Sequence, residues 1–333
     1  MATGAHKIEY EVLKGWEQMP EGWSFVEVAG VACDSRDRVY VFCRGDHPMI
    51  VFDKEGRFLD AWGEGVFANP HGIFIDDRDR VWCVDNGDHT VRRFDTAGNL
   101  ELTIGEPGVE ADTGFELDKS PVQRSAGPFN RCTNVAVMKT GEFYVADGYG
   151  NARVHKFAAD GTLELSFGEP GSGPGQFNLP HGIALDSAGQ VYVADRENSR
   201  VQIFSPRGEY LREWSWTARP CDLFVDDQDN IYIAELGHII LRPVPVHWRW
   251  FHGCPPCHEA YATVTITDPD GSRHAVIGGP SPLLPGNFIA PHGIWADSEG
   301  SFYVGEVTKS SGGFEHFAPM TPPTFQKFIR RAG

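Results

Sequence analysis

One self-similar unit recurs along the chain and restricts its fold more than any other feature. Each unit opens on an apolar, strand-like segment. These are Val28-Ala-Gly-Val-Ala-Cys-Asp34, Pro70-His-Gly-Ile-Phe-Ile-Asp76, Cys132-Thr-Asn-Val-Ala-Val-Met138, Pro180-His-Gly-Ile-Ala-Leu-Asp186, Pro220-Cys-Asp-Leu-Phe-Val-Asp226 and Pro291-His-Gly-Ile-Trp-Ala-Asp297. A polar turn leads each into a second apolar segment, ending at residues 43, 85, 147, 195, 235 and 306, in steps of 42, 62, 48, 40 and 71. A basic period of about 40–45 residues with four short strands is a propeller blade, so six units predict an all-β, six-bladed β-propeller. The two long steps mark insertions near residues 106–127 and 242–261. No linker or composition shift divides the chain, and the reading is a single domain over 1–333. The last unit runs into Phe325-Gln-Lys-Phe-Ile-Arg330, and Lys7-Ile-Glu-Tyr-Glu-Val-Leu13 is a spare strand able to close the ring. Closure removes exposed strand edges.

Composition narrows the partners. The 38 glycines and 23 prolines supply the turns that many short strands require. A formal charge of −17 repels phosphate backbones and anionic lipid surfaces, which argues against nucleic-acid and membrane partners. No stretch approaches the roughly 18 apolar residues of a membrane span. Met1 to Tyr10 lacks the apolar core of a signal peptide, so the expectation is a cytoplasmic protein. The seven cysteines are odd in number, and Cys33, Cys43, Cys83, Cys132 and Cys221 fall inside apparent strands. That pattern predicts reduced core thiols rather than a disulfide framework.

The innermost strand of each blade begins at the central channel. The column that lines it holds Ala29, His71, Thr133, His181, Cys221 and His292. Its histidines are 110 and 111 residues apart and fall in blades two, four and six. Alternate blades lie about 120° apart, so three imidazoles can converge on the axis as three nitrogen ligands with an open fourth position, the arrangement of catalytic zinc. Repeats also copy their residues, and each histidine could instead cap a strand or bond a neighbouring backbone. The loops after the second strands open on the same face. They carry Arg44, Tyr149 and Arg196. Arginines are forked partners for a carboxylate, and a phenol near a cation can serve as a base. Asp195-Arg-Glu-Asn198 is equally ordinary turn chemistry, and Tyr149 equally a packing residue. Cys254-Pro-Pro-Cys257-His258 has the spacing of haem attachment, but a single copy in a loop rich in Pro, Trp and His reads better as a redox-sensitive pair or an inert rim element. His247, His252 and His258 share that loop without a metal-specifying spacing.

Several segments resemble NHL-repeat propellers, and among them the peptidyl-α-hydroxyglycine α-amidating lyases. The pieces that carry the resemblance are Phe42-Cys-Arg-Gly-Asp-His47, Phe129-Asn-Arg131, Phe143-Tyr-Val-Ala-Asp-Gly-Tyr149 with Asn151, Ala194-Asp-Arg-Glu-Asn-Ser-Arg-Val-Gln202, and the three Pro-His pairs ending at 71, 181 and 292. The resemblance implies zinc held by His71, His181 and His292, an active-site tyrosine at Tyr149, and substrate-binding arginines at Arg44 and Arg196. It also implies a structural Ca2+ bound partly by an aspartate directly after the third histidine. That position is Gly293 here, which puts the Ca2+ site in doubt, although carbonyls near Val31 and Ile73 could still contribute. The implied reaction cleaves the C–N bond of an α-hydroxy amide, peptidyl-hydroxyglycine-like or ureido-glycolate-like, to an amide and glyoxylate. The rival readings are a metal-dependent lactonase-like hydrolase and a non-enzymatic NHL-type binding module.

Overall fold

A computed structural model describes residues 9–117, 119–238 and 261–331. Most of the insertion near 242–261, including His247, His252, Cys254, Cys257 and His258, lies outside the described residues. Six four-stranded antiparallel sheets make up the architecture. Blade one, for example, runs Val28–Cys33, Val39–Cys43, Met49–Phe52 and Phe58–Trp62 from the axis outward. The second strands end at Cys43, Asp85, Asp147, Asp195, Glu235 and Glu306, as the repeat predicts. Blade six takes its outermost strand from the other end of the sequence. Tyr10–Leu13 pairs antiparallel with Phe325–Arg330, and the ring closes. The remaining helical structure among the described residues is one short helix, Gly313–Phe317, and a single turn at Arg196–Asn198.

Apolar side chains are buried between blades rather than within them. The buried apolar residues form six clusters, one at each junction of neighbouring blades. At the seam between blades one and six, Trp16, Val31 and Phe52 meet Tyr303 and Phe325. Inner strands are buried along most of their length, those of blades one and three throughout, while outermost strands such as Leu100–Ile104 face water. Side chains of both strand faces therefore serve a core, because each blade packs on two neighbours.

The turn between the first and second strands explains the recurring aspartate. The Asp34 carboxylate accepts the Arg36 and Arg38 backbone N–H groups, the Arg38 guanidinium at 2.6 Å and the Tyr40 hydroxyl. Asp76 repeats the pattern with Arg78, Arg80 and Trp82, and Asp186 with Ala188, Gln190 and Tyr192. A second acid, at the end of the second strand, staples the approach to the first strand. Asp85, Asp147, Asp195, Glu235 and Glu306 each accept a backbone N–H from the residues leading into their own blade. These satisfied donors fix where the inner strands of blades two to six start, and so where their axial residues point.

The stretch beginning at 106 is pinned to blade three. The Thr113 hydroxyl donates to the Gly150 carbonyl at 2.5 Å, the Ala111 N–H to the Phe129 carbonyl at 2.9 Å, and the Asn151 amide to the Ala126 carbonyl at 3.2 Å. Its anchors thus flank Tyr149 directly.

Candidate metal centre

His71, His181 and His292 are the second residues of the inner strands Pro70–Ile75, Pro180–Leu185 and Pro291–Ala296. All three are buried, 1%, 2% and 5% exposed. Their ring centroids are 4.8, 4.6 and 4.7 Å apart, a nearly equilateral triangle on the channel axis. One nitrogen from each lies within 4.8 Å of the others.

The remaining nitrogen of every ring is held by the following blade. Nδ1 of His71 meets the Thr133 carbonyl at 2.6 Å, that of His181 the Cys221 carbonyl at 2.7 Å, and that of His292 the Ala29 carbonyl at 2.7 Å. A carbonyl only accepts, so each Nδ1 carries the proton and Nε2 is left with its lone pair directed inward. The same contact explains the glycine after each histidine. A Cβ on Gly72 would stand 2.6 Å from the Thr133 carbonyl, one on Gly182 2.7 Å from that of Cys221, and one on Gly293 2.6 Å from the Gly30 Cα. Strands approach too closely there for any side chain.

Electrostatics keep the rings neutral. Burial pushes His71 and His181 well below the usual histidine range, with cationic neighbours adding to the effect. Burial and then the Arg44 charge bring His292 to about 3. Three neutral imidazoles with oriented Nδ1–H groups fit Zn2+, which takes nitrogen donors and whose histidine ligands usually donate their second nitrogen to a carbonyl or carboxylate. They fit Ca2+ poorly, since calcium takes oxygen ligands. An aspartate has no room at 293. One residue beyond the axial column, the Asn134 amide instead donates to Asp222 at 2.6 Å, and the Ile294 N–H donates to the other Asp222 oxygen at 3.1 Å. This bridge links blades three, five and six. Burial raises Asp222 to about 7.

Tyr149 and Arg196 join the histidines directly. The Tyr149 hydroxyl lies 3.3 Å from His71 Nε2 and 3.2 Å from His181 Nε2, and Arg196 Nη1 donates to it at 3.3 Å. Arg196 is itself held by Glu197 at 2.9 Å, and Glu197 also receives Arg219 at 2.8 Å. Burial alone would raise Glu197, but Arg219 and Arg196 outweigh it and bring the carboxyl to about 2. Arg44 approaches from the other side. Its Nε donates to the Pro70 carbonyl at 3.0 Å and its Nη1 to Glu27 at 2.7 Å and to Ser310 at 3.2 Å. All six residues expected from the sequence therefore gather at one mouth of the channel. Glu27, Glu197, Arg219 and Ser310 were not among them. Aligning the residue just before each inner strand puts Glu27 and Arg219 in one column, the signal that would have found those two.

The NHL repeat pattern matches residues 129–157 and 177–204, within blades three and four. The chain is an NHL-repeat propeller. This NHL-repeat propeller is 37% identical over 221 residues to NHL repeat-containing protein 3 of Homo sapiens, covering 63% of this chain and 60% of that protein. It is 45% identical over 80 residues to the probable peptidyl-alpha-hydroxyglycine alpha-amidating lyase of Caenorhabditis elegans, 23% of each chain. A solved streptogramin B lyase superposes with a TM-score of 0.60 at 12% identity, over 98% of this chain and 99% of that one, a likeness of fold. The chain thus spans about three fifths of the human relative's length and under a quarter of the nematode lyase. Among the described residues, no helix is long and apolar enough to cross a membrane.

Proposed function

We propose that this NHL-repeat propeller is a zinc-dependent carbon–nitrogen lyase that splits an α-hydroxy amide into an amide and glyoxylate. The observation that carries this reading is the Tyr149 hydroxyl, placed within 3.3 Å of two neutral axial imidazoles and of Arg196. His71, His181 and His292 would hold the zinc, which when bound would supply a Lewis acid for the substrate hydroxyl. Arg196 and Arg44 take the substrate carboxylate. Both enter the site already braced by Glu197 and Glu27, so binding orders little that is not ordered beforehand. Acting as its phenolate, with Arg196 beside the oxygen, Tyr149 accepts the hydroxyl proton. The O–H electron pair becomes the second bond of the aldehyde, the C–N bond breaks, and the proton returns from Tyr149 to the amide nitrogen. The step R–CO–NH–CH(OH)–COO⁻ → R–CO–NH2 + OHC–COO⁻ balances without water. The substrate is a small molecule or peptide-like, and neither nucleic acid nor membrane is required.

A lactonase-like site would use oxygen ligands for calcium, which the three nitrogens do not provide. A binding module remains the second reading, because the human relative is named for its repeats alone. Metal analysis with an assay of glyoxylate release decides between these. The expected result is about one zinc per chain and stoichiometric glyoxylate from N-acyl-α-hydroxyglycines. Protein without zinc affinity and without glyoxylate release would overturn the lyase reading.

A further inference from the structure

One residue beyond the axial column, the inner strands carry Gly30, Gly72, Asn134, Gly182, Asp222 and Gly293. Glycine fills every blade but three and five, and the two side chains present are buried and bonded to each other. They meet across blade four, where a Cβ on Gly182 would stand 2.7 Å from the Asp222 Cα. Asp222 Oδ1 accepts the Asn134 amino group at 2.6 Å and the Leu223 N–H at 2.9 Å. Its Oδ2 accepts the Ile294 N–H of blade six at 3.1 Å. Asn134 Oδ1 accepts the Val135 N–H at 2.8 Å, which turns the amino group toward the carboxylate.

A calcium ion at this level would meet the wrong groups. Calcium takes about 6–8 oxygens, with carboxylates among them to supply charge. The aspartate that the resemblance implies at 293 is shut out, because its Cβ would stand 2.6 Å from the Gly30 Cα. Asp222, the carboxylate that this level does carry, already faces three N–H donors, one of them the Asn134 amino group. Carbonyls near Val31 and Ile73 would bring oxygen but no charge. Among the described residues, the one cluster of three or more metal-ligating side chains is the histidine triad above. We infer that Asn134, Asp222 and the Ile294 N–H form a metal-free tie across the channel, in place of the structural Ca2+ that the resemblance implies. Blades three, five and six are thereby joined by hydrogen bonds rather than by a cation. Such a tie serves the ring whichever reaction takes place at its mouth.

Elemental analysis and melting of the full-length chain test this. The purified protein should carry no stoichiometric calcium, and added CaCl2 should leave its melting temperature unchanged. Asn134→Ala and Asp222→Ala should each lower that temperature by several degrees with or without calcium, because each strands a buried polar partner. The double variant should lose less than the sum of the two, since the second change removes a group already unpaired. Stoichiometric calcium or a calcium-dependent rise, either one abolished by Asp222→Ala, would overturn the tie. Strictly additive losses would also overturn it, because they would show that the two side chains do not act together. Should the alanine variants fail to fold, Asp222→Asn keeps the size of the side chain and takes their place. A calcium-independent loss in that variant upholds the tie, and the disappearance of a calcium-dependent rise ends it.

Discussion

Blades two, four and six place an imidazole on the axis, whereas blades one, three and five place there Ala29, Thr133 and Cys221. The difference is a division of labour. Even blades offer Nε2 to the centre, and odd blades offer a backbone carbonyl to the Nδ1–H of the imidazole before them. Small axial residues on the odd blades leave the space that the rings occupy. Two odd blades then use their outer loops. Tyr149 of blade three stands between His71 and His181 of the flanking blades, and Arg44 of blade one lowers both His71 and His292, the pair that flanks it. A six-fold repeat thus carries a three-fold histidine cluster, with Tyr149 and Arg44 set between its arms. Blade five contributes no such loop group, but its Arg219 braces Glu197 behind Arg196.

Removing an even-blade imidazole should have the largest effect. His181→Ala, or the same change at His71 or His292, should cut zinc affinity by more than about 100-fold and take glyoxylate release to the assay floor, since even losing an outer-shell partner costs 10–100-fold. Melting in the presence of a chelator should stay near wild type, because six inter-blade cores hold the ring without the ion. Next in size is the odd-blade phenol. Tyr149→Phe should lower turnover by about 10²–10⁴ while zinc content holds, and full activity would remove the phenol from the reaction. A smaller effect follows from forcing the blades to be alike. Ala29→His puts a ring where the column is closed, and should destabilise by about 1–3 kcal/mol through overpacking without adding a second zinc. An unstrained variant with doubled metal would show that the alternation is accidental.

The smallest effect concerns the acid staples rather than the axis. Burial raises Glu306 to about 7, so the folded protein favours its protonated form. Its contribution is fully present below the unfolded value of about 4.3 and is lost as pH rises through about 7. Glu306→Gln should flatten that part of the stability profile in denaturant titrations between pH 4.5 and 7, and an unchanged slope would assign it elsewhere.

Much of this was legible in the sequence because propeller blades are local. A second strand ending at Asp147 or Asp195 follows from its own apolar run and turn, and the 110 and 111 spacings of the histidines are each two blades plus one insertion. What the sequence hid are contacts set by ring closure. Nothing near His292 announces that Ala29, 263 residues away, will orient it. Glu197 sits beside Arg196 in the chain, yet its second partner Arg219 arrives from the next blade. The helix Gly313–Phe317 is too short, at five residues, to show a helical period in the sequence. Repetition itself blurred the loops, for Asp-Arg-Glu-Asn supplies a turn whether or not its arginine faces a substrate.

The hydrogen bond from His292 to Ala29 also sets an order of events during synthesis. A chain leaving the ribosome displays His71 and His181 early, but the third imidazole comes only with the last blade, and its orienting carbonyl belongs to the first. The last blade is in turn completed by the strand Tyr10–Leu13, made before any other in the ring. A partial propeller therefore offers at most two of the three nitrogens. Were zinc held as proposed, its uptake would report on completion, because a half-made chain would lack the third nitrogen.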